Sequence, residues 1–361
     1  MKRLLALTLA LMMVLSLAAC GGSSAPAATQ APAEAPAEAP AAEAPAAEAP
    51  AAEDGVVPRP DGYPSKSTIT WVVPSSAGGS LDGYTRALAD LVDLGGNIVV
   101  ENISGGSYTI GMTEVALNDP DGTTICTTAT TGLISSPLTM EGLAYSQDSF
   151  RYIAKVAPDG YAVVTTKADE SITAQEFWDL LGSGEEITIG TSSIGGHAYV
   201  EMAYVLMDLG TLDKIKFVVY DGSNSIMQAI QNGEVRFGLL DDTYIAGYHA
   251  AGEIKGLMVL GPNRDPLVPD VSCVGDFKDI PFLGDLIGVK LLVVRADTPE
   301  EIVEYIKQQV NEVILSDAYQ EYLVTSQSGT LDRIWTEDEL NEWIVNATQA
   351  WDSVLIAAGL K

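Results

Sequence analysis

Apolar residues along this chain recur with two periods, and the two alternate. Residues 69–74 form a β-branched and aromatic run, Ile69-Thr70-Trp71-Val72-Val73, closed by Pro74. That composition predicts a strand. Residues 81–94 have helical spacing and stop at Gly95-Gly96. A strand over 97–102, a helix over 108–118, a turn at Asp119-Pro120-Asp121-Gly122 and a strand over 123–128 follow. The alternation resumes with strands over 161–166, 186–190, 215–220, 237–240 and 256–261. Helices over 174–181, 197–209, 223–231 and 243–251 separate them. A long apolar run over 287–295 then precedes helices over 299–315, 318–326 and 336–358. Strands alternating with helices predict an α/β fold in which mainly parallel sheets are flanked by helices. Two such units and a returning run predict two lobes. Residues 63–160 and 290–361 are assigned to the first lobe, and 161–289 to the second.

The first sixty residues follow neither period. Lys2 and Arg3 precede an almost wholly apolar stretch over 4–17, shorter than the ~20 residues a membrane span needs. It ends in Ala18-Ala19-Cys20-Gly21, which resembles a bacterial lipoprotein signal. Residues 1–20 are therefore read as a leader, with Cys20 as the lipidated residue and extracytoplasmic attachment to the membrane surface. Residues 21–62 are read as a disordered linker. Its Ala-Pro-Ala-Glu repeats lack apolar periodicity and cannot repay the entropy of folding.

Charge narrows the partners. The full chain carries a formal net charge of −30, and about −26 of it lies on 63–361. So acidic a surface repels phosphate backbones, which argues against nucleic-acid binding. Besides Cys20 the chain has only Cys126 and Cys273, both in apolar surroundings and read as buried free thiols. His197 and His249 are the only histidines, and His249 is read as a surface helix residue. Zinc-ligand spacings, a Gly-x-Ser-x-Gly elbow and a phosphate loop are all lacking. The expectation is a binding protein that is not an enzyme and needs no cofactor. A hydrolase built on paired carboxylates is the weaker alternative.

Candidate chemistry lies in Gly-, Ser- and Thr-rich loops after the strands. The first holds Ser75, Ala77, Gly78, Gly79, Ser80 and Asp82. The second is Ser104-Gly105-Gly106-Ser107-Tyr108, and the third is a hydroxyl-rich loop over 127–136 containing Thr130 and Thr131. The fourth contains Ser193 and leads to His197; the fifth is Tyr220-Asp221-Gly222-Ser223. A loop feeding a helix N-terminus offers unpaired N–H groups and partial positive charge, which suits a carboxylate. Each loop also reads as an ordinary cap. His197 can be a cleft donor or simply a helix start. Asp241-Asp242 can hold a cation or cap a helix. Ligands of such sheets gather at the carboxyl ends of strands, here between the lobes.

Several motifs recur in one order: Tyr63-Pro64-Ser65-Lys66, then Val73, Pro74, Gly78, Gly79 and Asp82. Val100-Glu101-Asn102, Ile110-Gly111, Pro120-Asp121-Gly122-Thr123, Gly195-Gly196-His197 and the terminal Ala357-Ala358-Gly359-Leu360-Lys361 follow. This set resembles the tripartite tricarboxylate transporter substrate-binding family, also known as Bug-type periplasmic receptors. The resemblance implies a periplasmic-binding-protein-like Venus-flytrap fold, a monomer, and delivery of a small organic acid to membrane transporter subunits. It implies a ligand site drawn from Ser75, Ala77, Gly78, Gly79, Ser80, Asp82, Thr130, Thr131, Ser193, His197, Asp221 and Asp241. A sensor co-receptor binding the same ligand remains a second reading. Many family members carry a cation where this chain has Asp221. With so acidic a body, that acid suggests a ligand with one carboxylate and an amine, as in an amino acid. Asp221 can equally point to solvent.

Overall fold

Among the described residues there are ten strands and ten α-helices, and all but the strand Phe150–Lys155 and the short helix Ser136–Thr139 follow the alternation read from the sequence. The computed structural model describes residues 56–361 except Asp159 and Asp332, all within one compact unit. The leader, Cys20 and most of the linker lie outside the described residues. In chain order the first elements are β1 (Thr68–Val73), α1 (Ser80–Leu91), β2 (Asn97–Asn102), α2 (Thr109–Leu117) and β3 (Thr124–Ala129). Next come α3 (Ser136–Thr139), β4 (Phe150–Lys155), β5 (Ala162–Lys167), α4 (Ala174–Ser183), β6 (Ile187–Thr191) and α5 (His197–Leu209). They are followed by β7 (Ile215–Val219), α6 (Gly222–Asn232), β8 (Phe237–Asp241), α7 (Asp242–Ala250) and β9 (Ile254–Val259). The chain closes with β10 (Lys290–Arg295), α8 (Glu300–Ile314), α9 (Asp317–Thr325) and α10 (Glu337–Ala357).

Two five-stranded sheets result, ordered β2-β1-β3-β10-β4 and β7-β6-β8-β5-β9. The fold is two-lobed α/β. In each sheet four strands run one way and one is reversed. β10 is antiparallel to β3 and β4, and β5 is antiparallel to β8 and β9. The reversed strands are those that carry the chain across between sheets. The crossings meet at a bridge between Gly160 and Gly288, whose amides bond to each other's carbonyls at 3.4 and 3.0 Å.

Two features depart from the sequence reading. β4 was not anticipated, because Arg151 and Lys155 interrupt its apolar run. Arg151 is held by Glu300 and Glu337 of the flanking helices, which makes its half-buried position tolerable. The stretch over 127–136 is also not a simple loop. β3 extends to Ala129, and residues Thr131–Ser135 wind into a single π-helical turn leading into α3. His249 is half-buried, with Nε2 on Asp270 at 3.1 Å and Nδ1 accepting from the Gly256 amide. Cys126 and Cys273 are buried free thiols.

One apolar core runs through both lobes. Val72, Cys126 and Val293 of the first sheet and Ile189, Phe237 and Leu239 of the second belong to it. Helix α10 joins them, packing on β4 and on α5. Its Trp343 and Trp351 are buried. Thr336 and Glu339 start α10 as a reciprocal cap. Among the described residues, no helix is long and apolar enough to cross a membrane.

Candidate ligand site between the sheets

Strand ends from both sheets converge on one cavity of about 170 Å³. β3 delivers Ala129, Thr130 and Thr131 there, and β8 delivers Asp241, Asp242 and Thr243. Ser80 and Tyr84 reach it from the first turns of α1, Tyr108 from the residue before α2, and His197 from the start of α5. The floor is the crossing itself: Gly160, Gly288 and Lys290.

Four helices begin at this cavity: α1, α2, α5 and α7. In none of them does the side chain of the residue before the helix cap the first-turn amides, although in α7 Asp242 Oδ1 accepts from the Thr243 amide. By contrast, α4, α9 and α10 are capped by the hydroxyls of Thr173, Ser316 and Thr336. Uncapped first turns leave N–H groups and partial positive charge for an outside acceptor.

The loop before α2 is strained. Gly105, Gly106, Ser107 and Tyr108 all have positive φ, at +126°, +56°, +52° and +75°. For the two non-glycine residues this costs of order 1–3 kcal/mol each. Ser136 Oγ holds the turn by donating to the Ser107 carbonyl at 2.7 Å. Gly132 lies close beneath it: a Cβ there would meet Thr128 Oγ1 at 2.8 Å and Tyr108 Cβ at 3.1 Å. The strain keeps Tyr108 in the cavity wall.

Ionisable groups are concentrated on the second-lobe side. His197 Nε2 lies 3.0 Å from Asp241 Oδ1. Desolvation works against a charged imidazole, but Asp241 and Glu201 outweigh it and lift His197 to about 9. Desolvation likewise favours the neutral Asp241 carboxyl, yet His197 and Lys290 hold it below its ordinary value. Asp242 is fully buried. Desolvation and the neighbouring Asp265 carboxyl push it up to about 8. Behind His197, one turn along α5, Glu201 is wholly buried and accepts from the Ala162 amide at 2.8 Å. Burial lifts it to about 8, against the pull of His197. At neutral pH the wall therefore holds a charged His197–Asp241 pair and neutral Asp242 and Glu201. The Lys290 ammonium makes no ion pair or hydrogen bond among the described residues.

Of the residues singled out from sequence, the structure brings Ser80, Thr130, Thr131, His197 and Asp241 together. The Thr130 hydroxyl is already committed, accepting from the Val289 amide at 2.9 Å and donating to the Ile287 carbonyl. It ties β3 to the crossing. Ser75, Ala77, Gly78, Gly79, Asp82, Ser193 and Asp221 do not line the cavity. Asp82 is buried, and its carboxylate accepts from the Gly78 amide, Asn102 Nδ2 and Arg86. Those bonds shape the first loop and leave little acceptor capacity for a ligand. Ser75 Oγ is buried without a partner. Ala77, Gly78, Gly79 and Ser193 are exposed on loops. Asp221 is exposed at the start of α6 and caps nothing with its side chain.

Sequence reasoning did not assign Tyr84, Gly160, Thr243, Gly288 or Lys290 to the site, and it weighed Asp242 only beside Asp241, as a cation holder or a helix cap. Asp242 and Thr243 adjoin Asp241, and Tyr108 stood within a flagged loop, so the pattern held a signal for them. Nothing local marks Lys290.

A family model described as the tripartite tricarboxylate transporter family receptor matches residues 85–360. The chain belongs to this receptor family. Its members are extracytoplasmic solute-binding receptors. Among solved structures, the receptor is similar to a TctC solute-binding protein from Polaromonas. That match has a TM-score of 0.69 and 23% identity, over 82% of this chain and 99% of that one. MatC from Rhodopseudomonas palustris with bound malate aligns with a TM-score of 0.63 and 21% identity, covering 80% of the receptor and 98% of MatC. These likenesses show the shared fold. Among curated proteins, the receptor is 24% identical over 302 residues to a UPF0065 protein in the tcbD-tcbE intergenic region of Pseudomonas sp. strain P51. The match covers 82% of the receptor and 88% of that protein.

Proposed function

We propose that this receptor captures one small carboxylate-bearing metabolite between its lobes and delivers it to membrane subunits of a tripartite tricarboxylate-type transporter. The observation that carries the reading is the convergence of four helix starts, those of α1, α2 and α5 without a side-chain cap, on a single cavity at the lobe crossing. MatC, of the same fold, holds malate, and R. palustris Rpa4515 holds adipate. In its present conformation the cavity has room for about six waters at ~30 Å³ each. That favours a short acid over a large tricarboxylate. The ligand residues in this reading are Ser80, Tyr84, Tyr108, Thr131, His197, Asp241, Thr243 and Lys290. Asp82 and Thr130 position them.

In the same reading, residues 63–160 with 290–361 form one lobe and 161–289 the other, which agrees with the composition of the two sheets. Lipidation at Cys20 and the linker over 21–62 tether a monomeric body to the outer membrane surface. Asp221 does not line the cavity, so the reading takes no support from it for an amine on the ligand.

Calorimetric titration of the soluble body with malate, adipate, citrate and aspartate tests the reading, with products followed by mass spectrometry. One molecule of malate, adipate or aspartate should bind per chain and be recovered unchanged. Turnover of the acid, or binding of citrate alone, would reject it.

A further inference from the structure

Lys290 is the first residue of β10, the strand that returns the chain from the second sheet to the first. β10 runs antiparallel to β3, so its first residue pairs with the last residue of β3, Ala129. A cation from the amino end of one strand is thereby set among loops from the carboxyl ends of others. Its position is fixed from two sides. The Lys290 carbonyl accepts from the Val156 amide at 2.9 Å on the opposite crossing segment. Gly160 leaves room for the side chain, since a Cβ there would lie 3.0 Å from Lys290 Nζ and 3.7 Å from Asp242 Oδ1.

The neighbouring acids do not neutralise this cation. Asp241 is paired with His197. Asp242 spends its oxygens on the amides of Tyr161 and Thr243 and stands against a second buried carboxyl, Asp265. Among the described residues the Lys290 ammonium is thus in no ion pair, in a cavity on a body whose surface is strongly acidic. A cation kept unpaired in a recess is a stored requirement for an anionic ligand.

We infer that Lys290 is the specificity-determining residue of the cleft: its ammonium pairs with a ligand carboxylate and rejects cationic and uncharged solutes. This rests on the reading of the cavity as a carboxylate site and adds the residue that selects the charge. Because Lys290 belongs to the crossing, the ligand is anchored on the hinge, and both lobes close over it.

The test titrates wild-type, Lys290→Met and Lys290→Arg bodies with malate, adipate and aspartate at low and high salt. Apo unfolding temperatures are recorded beside each titration. The wild type should bind at least one acid, more weakly at high salt. Lys290→Met should lose ~10- to 100-fold in affinity, the range a hydrogen bond to a charged group supplies. It should also lose most of the salt dependence, with the apo unfolding temperature unchanged. Lys290→Arg should keep the salt dependence. Should Lys290→Met fold poorly, Lys290→Gln serves in its place, with the same expectation. A wild type silent to every acid would sink both the carboxylate reading and this inference. A wild type that binds while Lys290→Met and Lys290→Gln bind within about threefold of it would sink the inference alone.

Discussion

Glu201 shows how a single side chain can make this receptor sensitive to pH. It is wholly buried on α5, with Oε2 on the Ala162 amide and Oε1 without a partner. The titratable groups facing it are His197, Asp241 and Asp242. Its ordinary pKa is 4.5, and burial lifts it to about 8 in the folded state. Between those values the folded chain keeps a proton that the unfolded chain releases. Stability contributed by this group therefore falls as pH rises from about 4.5 to 8. Asp242, raised from 3.8 to about 8, has the same sign. His197 does too: raised from 6.5 to about 9, its contribution is complete below 6.5 and lost through 9. Unfolding temperature should thus decline from mildly acid to mildly alkaline pH. Glu201→Gln, which fixes the neutral form, should make that decline shallower. Equal slopes for the two proteins, read by calorimetry across pH 5–8.5, would contradict the assignment. None of this was legible from the sequence, where Glu201 is one acid among 49 Asp and Glu residues. His197 was flagged from its place after Gly195-Gly196, but its partner could not be. The two side chains meet only because α5 begins where β8 ends.

Among the elements, β8 and α6 show how tightly the site is braced from behind. Gly238 is the second residue of β8, the middle strand of its sheet, and a Cβ there would come within 2.5 Å of Ile226 and 2.8 Å of Ile230 on α6. Both isoleucines are fully buried. Gly238→Ala must push α6 off the sheet or shift β8. It should cost roughly 1–3 kcal/mol, the range for overpacking. Because β8 ends in Asp241, ligand affinity should fall along with stability. Denaturant unfolding and one titration check both, and an unchanged midpoint would show that α6 yields freely. Element order was largely readable from the chain. The helix over 197–209 and the strand over 97–102 agree with the structure to the residue. β4 was missed because Arg151 and Lys155 break its pattern, and only the carboxylates of Glu300 and Glu337 make Arg151 acceptable there.

At the scale of the molecule, α10 makes one body of two sheets. Trp351 is fully buried in the core that both sheets share. Trp351→Ala should cost ~3–5 kcal/mol, and unfolding should remain a single transition because the core is continuous. Two separated transitions in the wild type, by fluorescence and far-ultraviolet dichroism, would refute that continuity. The amino-acid order by itself determined the alternation of strands and helices, the small-residue loops at strand ends and the motifs shared with the receptor family. These are local properties: periodicity reports which faces are buried, and glycine reports where the backbone must bend. The tertiary structure alone decided the directions of β5 and β10, because a strand's apolar pattern reads the same in either direction. It decided the site for the same reason. Reversal of β10 brought Lys290 to the cavity, while Asp221, at the start of α6, stayed outside. It also decided which acids carry charge, since that depends on burial and on neighbours distant in sequence.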